Sequence, residues 1–350
     1  MEKRSRSREI SSFIIKNVFE NPQTISKVTA EKFGISRQAV SRYIKRLVED
    51  GVLKARGRAR NKVYELTDII HKIYNVPIRP DVEEDRVWRQ HVKHLLTPVP
   101  ANVLDICQYG FTEIFNNAIE HSEGHTAEVT VKLTAAFVEM WISDDGIGIF
   151  NKIKKVLGLE DHHHAILELA KGKLTTDPEH HTGEGIFFTS RVFDYFSILS
   201  DQLYFCHKKS GDDWLIEDSE GEPCKGTLIC MRISTFSSDT LQEIFGRYAS
   251  EDTDYGFTKT RIPVSLLKYG EENLVSRSQA RRLLARFDRF KEVFLDFQGI
   301  KTIGQAFADE IFRVFKKQNP QIKIIWVNAD EEVEKMIMKA LSDSATSSRI

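Results

Sequence analysis

No apolar run in this 350-residue chain approaches the roughly 20 residues that span a bilayer, which argues against a helical membrane protein. The basic start, Met1-Glu-Lys-Arg-Ser-Arg, is followed by no apolar stretch of the kind a secretory leader carries, so none is expected. Cysteine is scarce, and Cys107, Cys206, Cys224 and Cys230 form no Cys-x-x-Cys pair. That argues against a disulfide scaffold and for a reducing, cytoplasmic setting. Heptads that could supply a coiled-coil seam are also missing. What is present, 41% hydrophobic and 29% charged residues, suits a soluble protein of two or three domains.

The net charge of −1 conceals an asymmetry. Residues 1–70 hold 16 Lys and Arg against 8 Asp and Glu, which leaves 34 against 43 for the remainder. A basic head on an acidic body points to a polyanionic partner for the head alone.

Within the head, residues 8–20 carry apolar positions at helical spacing up to Asn21-Pro22. A second helix is predicted from Ile25 to Phe33, capped by Thr24, with a turn at Gly34-Ile35. Ser36 caps a third, from Arg37 to Asp50. Val40, Ile44 and Leu47 face inward there, leaving Arg37, Gln38, Ser41, Arg42 and Lys45 outside. Two helices joined by a short glycine turn form the helix-turn-helix pattern, whose second helix is placed for the major groove. The following segment, Val52 to Tyr64, alternates around Gly57 and exposes Arg56, Arg58 and Arg60. It resembles the wing of winged-helix regulators, an expectation covering residues 1–75 whose implied partner is double-stranded DNA, held there through phosphates. Such regulators often pair on palindromic sites, so a homodimer is carried as an expectation. Residues 76–95, with Pro77, Pro80 and a Glu-Glu-Asp run, read as a linker.

The next domain concentrates the chemistry in three segments. A helix over 102–122 places Glu113, Asn117 and His121 at i, i+4 and i+8, on one face. An Asn amide oxygen suits Mg²⁺, and a carboxylate one turn earlier could orient or deprotonate a water attacking a γ-phosphate. Strands over 128–133 and 137–143 follow, the second running into Asp144-Asp-Gly146-Ile-Gly148. A carboxylate at a strand end can accept the adenine 6-amino proton, and glycines let the backbone approach a base. Third, Thr182-Gly183-Glu-Gly185-Ile186 opens an apolar-periodic helix, where exposed N–H groups suit a polyphosphate. Gly226-Thr227 then opens a strand over 228–233, where a hydroxyl could sit near the base.

Together these segments resemble the GHKL ATPase domain shared by gyrase B subunits, histidine kinases, mismatch-repair ATPases and anti-sigma-factor kinases. The resemblance covers residues 96–240 and implies a two-layer α/β sandwich, the Bergerat fold, with ATP and Mg²⁺ as cofactors. By the family pattern Glu113 is the catalytic carboxylate and Asn117 the Mg²⁺ ligand. His121 shares their helical face; Asp144 contacts adenine, Gly146 and Gly148 line the base, and Thr182, Gly183 and Gly185 lie near the phosphates. Thr227 carries over less directly. Residues 150–182 correspond to a mobile lid; its histidines (His162, His163, His164, His180 and His181) show no recognisable metal spacing. Residues 70–100 are too short for the phospho-acceptor hairpin of a sensor histidine kinase.

From Gly256 the pattern becomes βαβα, with strands over 261–267, 293–297 and 322–327 and helices over 276–287, 305–316 and 331–341. Val293-Phe-Leu-Asp296-Phe297, followed by a helix, resembles STAS-like domains related to anti-sigma-factor antagonists, here spanning 255–342. Those antagonists are phosphorylated on a Ser or Thr after that strand. The equivalent loop, Lys301-Thr302-Ile-Gly304, lacks their Asp-Ser-Ser-Gly run, so a protein-docking or intramolecular regulatory role is favoured. The fold class expected is therefore multi-domain α+β: winged helix, GHKL sandwich, small STAS-like domain. Three functions compete: a DNA-binding regulator switched by Mg-ATP, an anti-sigma-type serine/threonine kinase, and a scaffold that binds ATP for stability.

Overall fold

Helical periodicity and turn chemistry shape the head much as its sequence requires. The computed structural model describes residues 2–58, 61–174, 183–209, 213–218, 221–249, 256–268 and 272–346. In the head, α1 (Glu2–Asn17), α2 (Ile25–Phe33) and α3 (Arg37–Glu49) precede a hairpin of β1 (Leu53–Arg56) and β2 (Val63–Leu66). Gly34 ends α2 in the left-handed conformation, φ 62°. Ser36 Oγ accepts the Ala39 N–H at 3.2 Å and caps α3. Thr24, expected to cap α2, does not. Its backbone is already helical (φ −105°, ψ −2°), and its hydroxyl turns back to Asn21 Oδ1. Ile10, Ile14, Val18, Ile25, Val40, Ile44 and Leu47 form the head's own core.

Residues 76–95, expected to be a linker, are built into the central body. β3 (Ile70–Pro77) pairs along its whole length with β4 (Thr126–Leu133). Helical turns beginning with α4 (Glu84–Val87) and continuing to Leu96 bury Val87, Trp88, Val92 and Leu96. The acidic run that suggested solvent instead occupies the first turn of α4, where Glu84 and Asp85 suit the helix dipole.

The central sheet has seven strands in the order β3-β4-β5-β9-β6-β7-β8, with every pairing antiparallel. Its members besides β3 and β4 are β5 (Phe137–Asp144), β6 (Tyr195–Asp201), β7 (Leu203–Lys208), β8 (Trp214–Glu217) and β9 (Cys224–Ser234). The β6–β8 strands have no counterpart in the sequence reading. Their hairpin turns at Asp201, a non-glycine residue at φ 56°, so the usual glycine punctuation is missing. α5 (Ala101–His121) lies across β5 and β9. Beside it packs α8 (Gly185–Val192), and Gly110 permits the approach: a Cβ there would lie 2.3 Å from the Phe193 ring. α6 (Ile149–Leu157) and α7 (His162–Lys171) complete this layer, and α9 (Leu241–Gly246) follows the sheet.

The C-terminal unit is a parallel sheet of β10 (Lys259–Pro263), β11 (Glu292–Asp296) and β12 (Lys323–Val327). Around it lie α10 (Arg277–Leu284), a helical run from α11 (Gln305–Asp309) through α12 (Lys316–Gln318), and α13 (Glu331–Thr346). The strand expected over 261–267 stops at Pro263 and gives way to a 3-10 turn, Val264–Leu267. Two junctions differ in kind. The C-terminal unit shares one continuous apolar core with the central body, whereas the head joins it through Ala136 and Phe137. At that head junction Arg232 donates to Glu139 Oε2 at 2.5 Å and lies over the rings of Phe19 and Tyr195 at 4.4 and 4.8 Å. No described helix is long and apolar enough to cross a membrane.

Trp88 separates a core segment from a linker experimentally. It is fully buried and packs on Phe111 at 5.5 Å between ring centroids. Trp88→Ala should cost about 3–5 kcal/mol in urea unfolding of the full chain. A solvent-facing linker residue would change the stability by less than about 0.5 kcal/mol.

Candidate functional site

Strand alternation decides which carboxylate of the Asp144-Asp145 pair does what. Along β5, Val138, Met140, Ile142 and Asp144 point to the helix layer, opposite Ile233, Met231, Ile229 and Thr227 of β9. An otherwise apolar row thus ends in a carboxylate and a hydroxyl. Asp144 is only 8% exposed. Burial pushes its carboxyl above the ordinary value, against hydrogen bonds from Gly146 and Thr227 that favour the anion. Asp145 falls on the other face. Its Oδ1 accepts the His125 and Thr126 N–H groups at 2.7 and 3.0 Å, which hold it below the ordinary value and fix the incoming loop.

Asp144 opens into a cleft bounded by α5, the ends of β5 and β9, α6, α7 and the start of α8. Its empty volume is about 1130 Å³, part of it open to solvent. Small-molecule sites run to about 300–1,000 Å³. Glu113, Asn117 and His121 line it from α5, Asp144 and Gly148 from the end of β5, Gly183 and Gly185 from the start of α8, and Thr227 from β9. Segments more than a hundred residues apart therefore meet around one space. Gly146 is not among the lining residues. It stands behind Asp144, donating its N–H to Oδ1 at 2.9 Å, and a Cβ there would lie 2.0 Å from the Ser122 carbonyl oxygen. Thr182, expected near the phosphates, lies outside the described residues.

The glycines hold the backbone close. Gly148, at φ 87°, precedes α6, whose first N–H, that of Ile149, is held by Thr227 Oγ1 at 2.9 Å. Gly185 opens α8, and a Cβ there would lie 2.0 Å from Glu113 Oε2, so only glycine lets that carboxylate sit against the helix start. Glu184, at the N-cap of α8, supplies no side-chain cap, which leaves that terminus suited to an anion. Burial pushes the Glu184 carboxyl up, against the pull of the Lys173 ammonium. Burial, then the nearness of Glu113 and Glu184, raises the Tyr109 phenol.

Reading the sequence missed Lys152 and Glu184 on the cleft, and the apolar wall of Ile149, Ile153, Leu169 and Leu174. Lys152, one turn into the helix after Gly148, was the detectable signal; its Nζ lies 2.5 Å from Glu123 Oε1. Leu169 and Leu174 reach the cleft by tertiary packing alone. The residues expected to form a lid make two ordered helices, while 175–182, with His180 and His181, lie outside the described residues. The other lid histidines diverge: His162 meets Asn151 Oδ1 at 2.8 Å, His163 meets Glu217 Oε2 at 3.0 Å, and His164 lies 3.6 Å from Glu168 Oε1. Among the described residues no three His, Cys, Asp or Glu side chains form a metal cluster. Asn117 and Glu113 nevertheless offer hard oxygen donors on one helix face, a set that fits Mg²⁺ completed by phosphates and water.

A second surface lies on the head. Arg37, Gln38, Ser41, Arg42 and Lys45 are all exposed on α3, opposite buried Val40, Ile44 and Leu47. Arg56 and Arg58 are exposed on the hairpin, Arg56 lying 3.3 Å from Glu65; Arg60 lies outside the described residues.

The cleft's floor is testable through Gly226. Its φ is +74°, and a Cβ there would lie 1.9 Å from the Asp144 carbonyl oxygen. Gly226→Ala should destabilise the fold by about 2–4 kcal/mol in chemical denaturation, combining left-handed strain with overpacking.

Comparison with known families gives two partial matches. Residues 279–334 match the model of a STAS-like domain of unknown function, DUF4325, and lie within the C-terminal unit. Residues 3–69 match the model for the C-terminal domain of SoFic-like protein adenylyltransferases. That match ends ahead of every cleft residue and speaks of the head alone. No curated protein matches the chain. The C-terminal unit is thus STAS-like, on a multi-domain chain of mixed α and β structure.

Proposed function

We propose that this chain is a DNA-binding regulator whose central cleft, a GHKL-type site, binds Mg-ATP. One observation carries the reading: Glu113, Asn117, Asp144, Gly148, Gly183, Gly185 and Thr227, chosen for their chemistry, line a single cleft. Asp144, ionised, accepts the adenine 6-amino hydrogen and repels a guanine 6-oxygen. Ile142, Ile149, Ile153 and Ile229 line the cleft and offer the base an apolar surface. The start of α8 offers backbone N–H groups to the polyphosphate, and Lys152, its ammonium shared with Glu123, also lines the cleft. Asn117 holds the metal, which when bound neutralises the phosphate charge. Glu113, one turn earlier, orients a water and takes its proton, so that slow hydrolysis ends the bound state. The head reads as a winged helix-turn-helix, with α3 for the major groove and Arg56 and Arg58 for phosphates. The STAS-like unit is the docking element for a protein partner.

Calorimetric titration of the full chain tests the cleft. Wild type should bind Mg-ATP, and Asp144→Asn should weaken it at least tenfold, about 1.4 kcal/mol, because the amide presents a donor to the adenine amino group. Binding requires the anion, and burial raises the Asp144 pKa. Affinity should therefore fall as pH drops through that raised range, and Asp144→Asn should lose this dependence. Glu113→Ala should spare binding and abolish turnover; γ-labelled ATP distinguishes released phosphate from phosphate transferred to protein. Wild type that leaves Mg-ATP unbound would remove the assignment.

The head is tested by mobility shift over a salt series. Duplex affinity should fall steeply with salt, and Arg42→Ala should weaken it, with a shallower slope by about one if Arg42 contacts phosphate. Mg-ATP should change the duplex affinity of the full chain, as a switch requires. Binding indifferent to salt would refute the phosphate-contact reading.

A further inference from the structure

Among the described residues, Glu168 and Lys171 are the most deeply buried charged groups, and the cleft chemistry leaves them unexplained. Both belong to α7 and are each only 1% exposed. Lys171 Nζ donates to Glu168 Oε1 at 2.5 Å and also to the Arg282 and Ala285 carbonyls, each at 3.0 Å, in the STAS-like unit. Arg286 of that unit closes the cluster from the other side, its Nη1 donating to Glu168 Oε2 at 2.7 Å and its Nη2 to the Lys173 carbonyl. Thr260 Oγ1 on β10 donates to the Lys171 carbonyl at 2.7 Å. Arg289 adds a hydrogen bond to the Lys173 carbonyl at 2.7 Å, and Lys173 Nζ donates to the Arg289 carbonyl at 2.9 Å. The end of α7 and the segment after it are thus held by the C-terminal unit along several backbone and side-chain bonds.

The same segment forms a wall of the cleft. Leu169 lies between Glu168 and Lys171, and Leu174 directly follows Lys173; both line the cavity. Phe187, another lining residue, packs on Phe257 at 4.6 Å between centroids, and Phe257 in turn packs on Phe290 of the C-terminal unit. Gly172 leaves room for this stack: a Cβ there would lie 2.8 Å from the Phe257 ring.

We infer that Arg286 is a positioning residue for the nucleotide cleft: through Glu168 and the Lys173 carbonyl it fixes the wall carried by Leu169 and Leu174. The inference rests on the Mg-ATP reading above. It makes the STAS-like unit a controller of nucleotide affinity, because anything that lifts this unit from α7 removes the wall. Linkage makes the effect reciprocal, so bound nucleotide must tighten the docking by the same factor. Burial pushes Glu168 up, but its contacts with His164, Lys171 and Arg286 outweigh it and hold its carboxyl well below the ordinary value, while burial lowers the Lys171 ammonium against the pull of Glu168.

The test uses the full chain in calorimetry and hydrogen exchange with Mg-ATP. Arg286→Gln should weaken binding at least fivefold and Arg286→Lys should recover part of the loss. Arg289→Ala, at an exposed side chain, should weaken binding about twofold and decides the matter where Arg286→Gln does not fold. In wild type, Mg-ATP should slow amide exchange over 277–289, a readout that a merely structural role would not move. Unchanged affinity in folded Arg286→Gln, or in Arg289→Ala where the former does not fold, overturns the inference. So does unaltered exchange over 277–289 in wild type that demonstrably binds Mg-ATP. Wild type that fails to bind Mg-ATP at all removes the nucleotide reading first, and this inference with it.

Discussion

An acid at the end of an apolar row is the constraint on which the rest of the site depends. Val138, Met140 and Ile142 commit one face of β5 to the helix layer, and the two-residue period leaves Asp144 no choice of side. Burying a carboxylate there costs several kcal/mol unless hydrogen bonds answer it. The Gly146 N–H and Thr227 supply that answer, and each needs its neighbours: Gly146 clears Ser122, and Gly226 clears the Asp144 carbonyl. Glycine at these positions is a condition for the acid to sit where it does. Glu113 is placed by a parallel argument, its carboxylate lying in space that only a glycine at 185 leaves vacant.

The two partner units approach this site in different ways. The head sits at the opposite ends of β5 and β9, where Phe137 and Ser234 are paired, while Asp144 and Thr227 pair at the cleft. Seven residue steps separate those ends, about 24 Å of strand. The C-terminal unit instead touches the cleft's wall directly, through Arg286, Phe257 and Phe290.

Legibility in the sequence followed the range of the forces. Capping and turns are local, so Ser36, Gly34 and the bounds of α2 and α3 were readable from short windows, and the failure at Thr24 came from a backbone already helical before the cap. The i, i+4, i+8 row of α5 was equally readable, because helix geometry alone aligns it. Trp88 was not: proline and acidic neighbours outweighed its apolar surface in the reading, although only burial against Phe111 explains a tryptophan there. The β6–β7 hairpin escaped because Asp201 adopts positive φ without being glycine. Lys171 and Glu168 carry no signal in the sequence, because nothing local announces that Arg286, more than a hundred residues away, encloses them.

Stiffness orders these junctions. β5 and β9 are held by ladders on both edges, so a nucleotide cannot shift Asp144 along its strand without disturbing the whole sheet. α6 and α7 carry no such ladder; their positions rest on side-chain packing and on the ion cluster. In the proposed nucleotide-bound state, differential contacts would therefore act first on these helices and on the STAS-like unit bonded to α7. Reversing a two-state population from 1:99 to 99:1 needs about 5.5 kcal/mol of differential binding. A single hydrogen bond, at about 1 kcal/mol, falls short of that. A whole wall that leaves or joins the ligand, together with Arg286, Arg289 and Phe257, is of the right order.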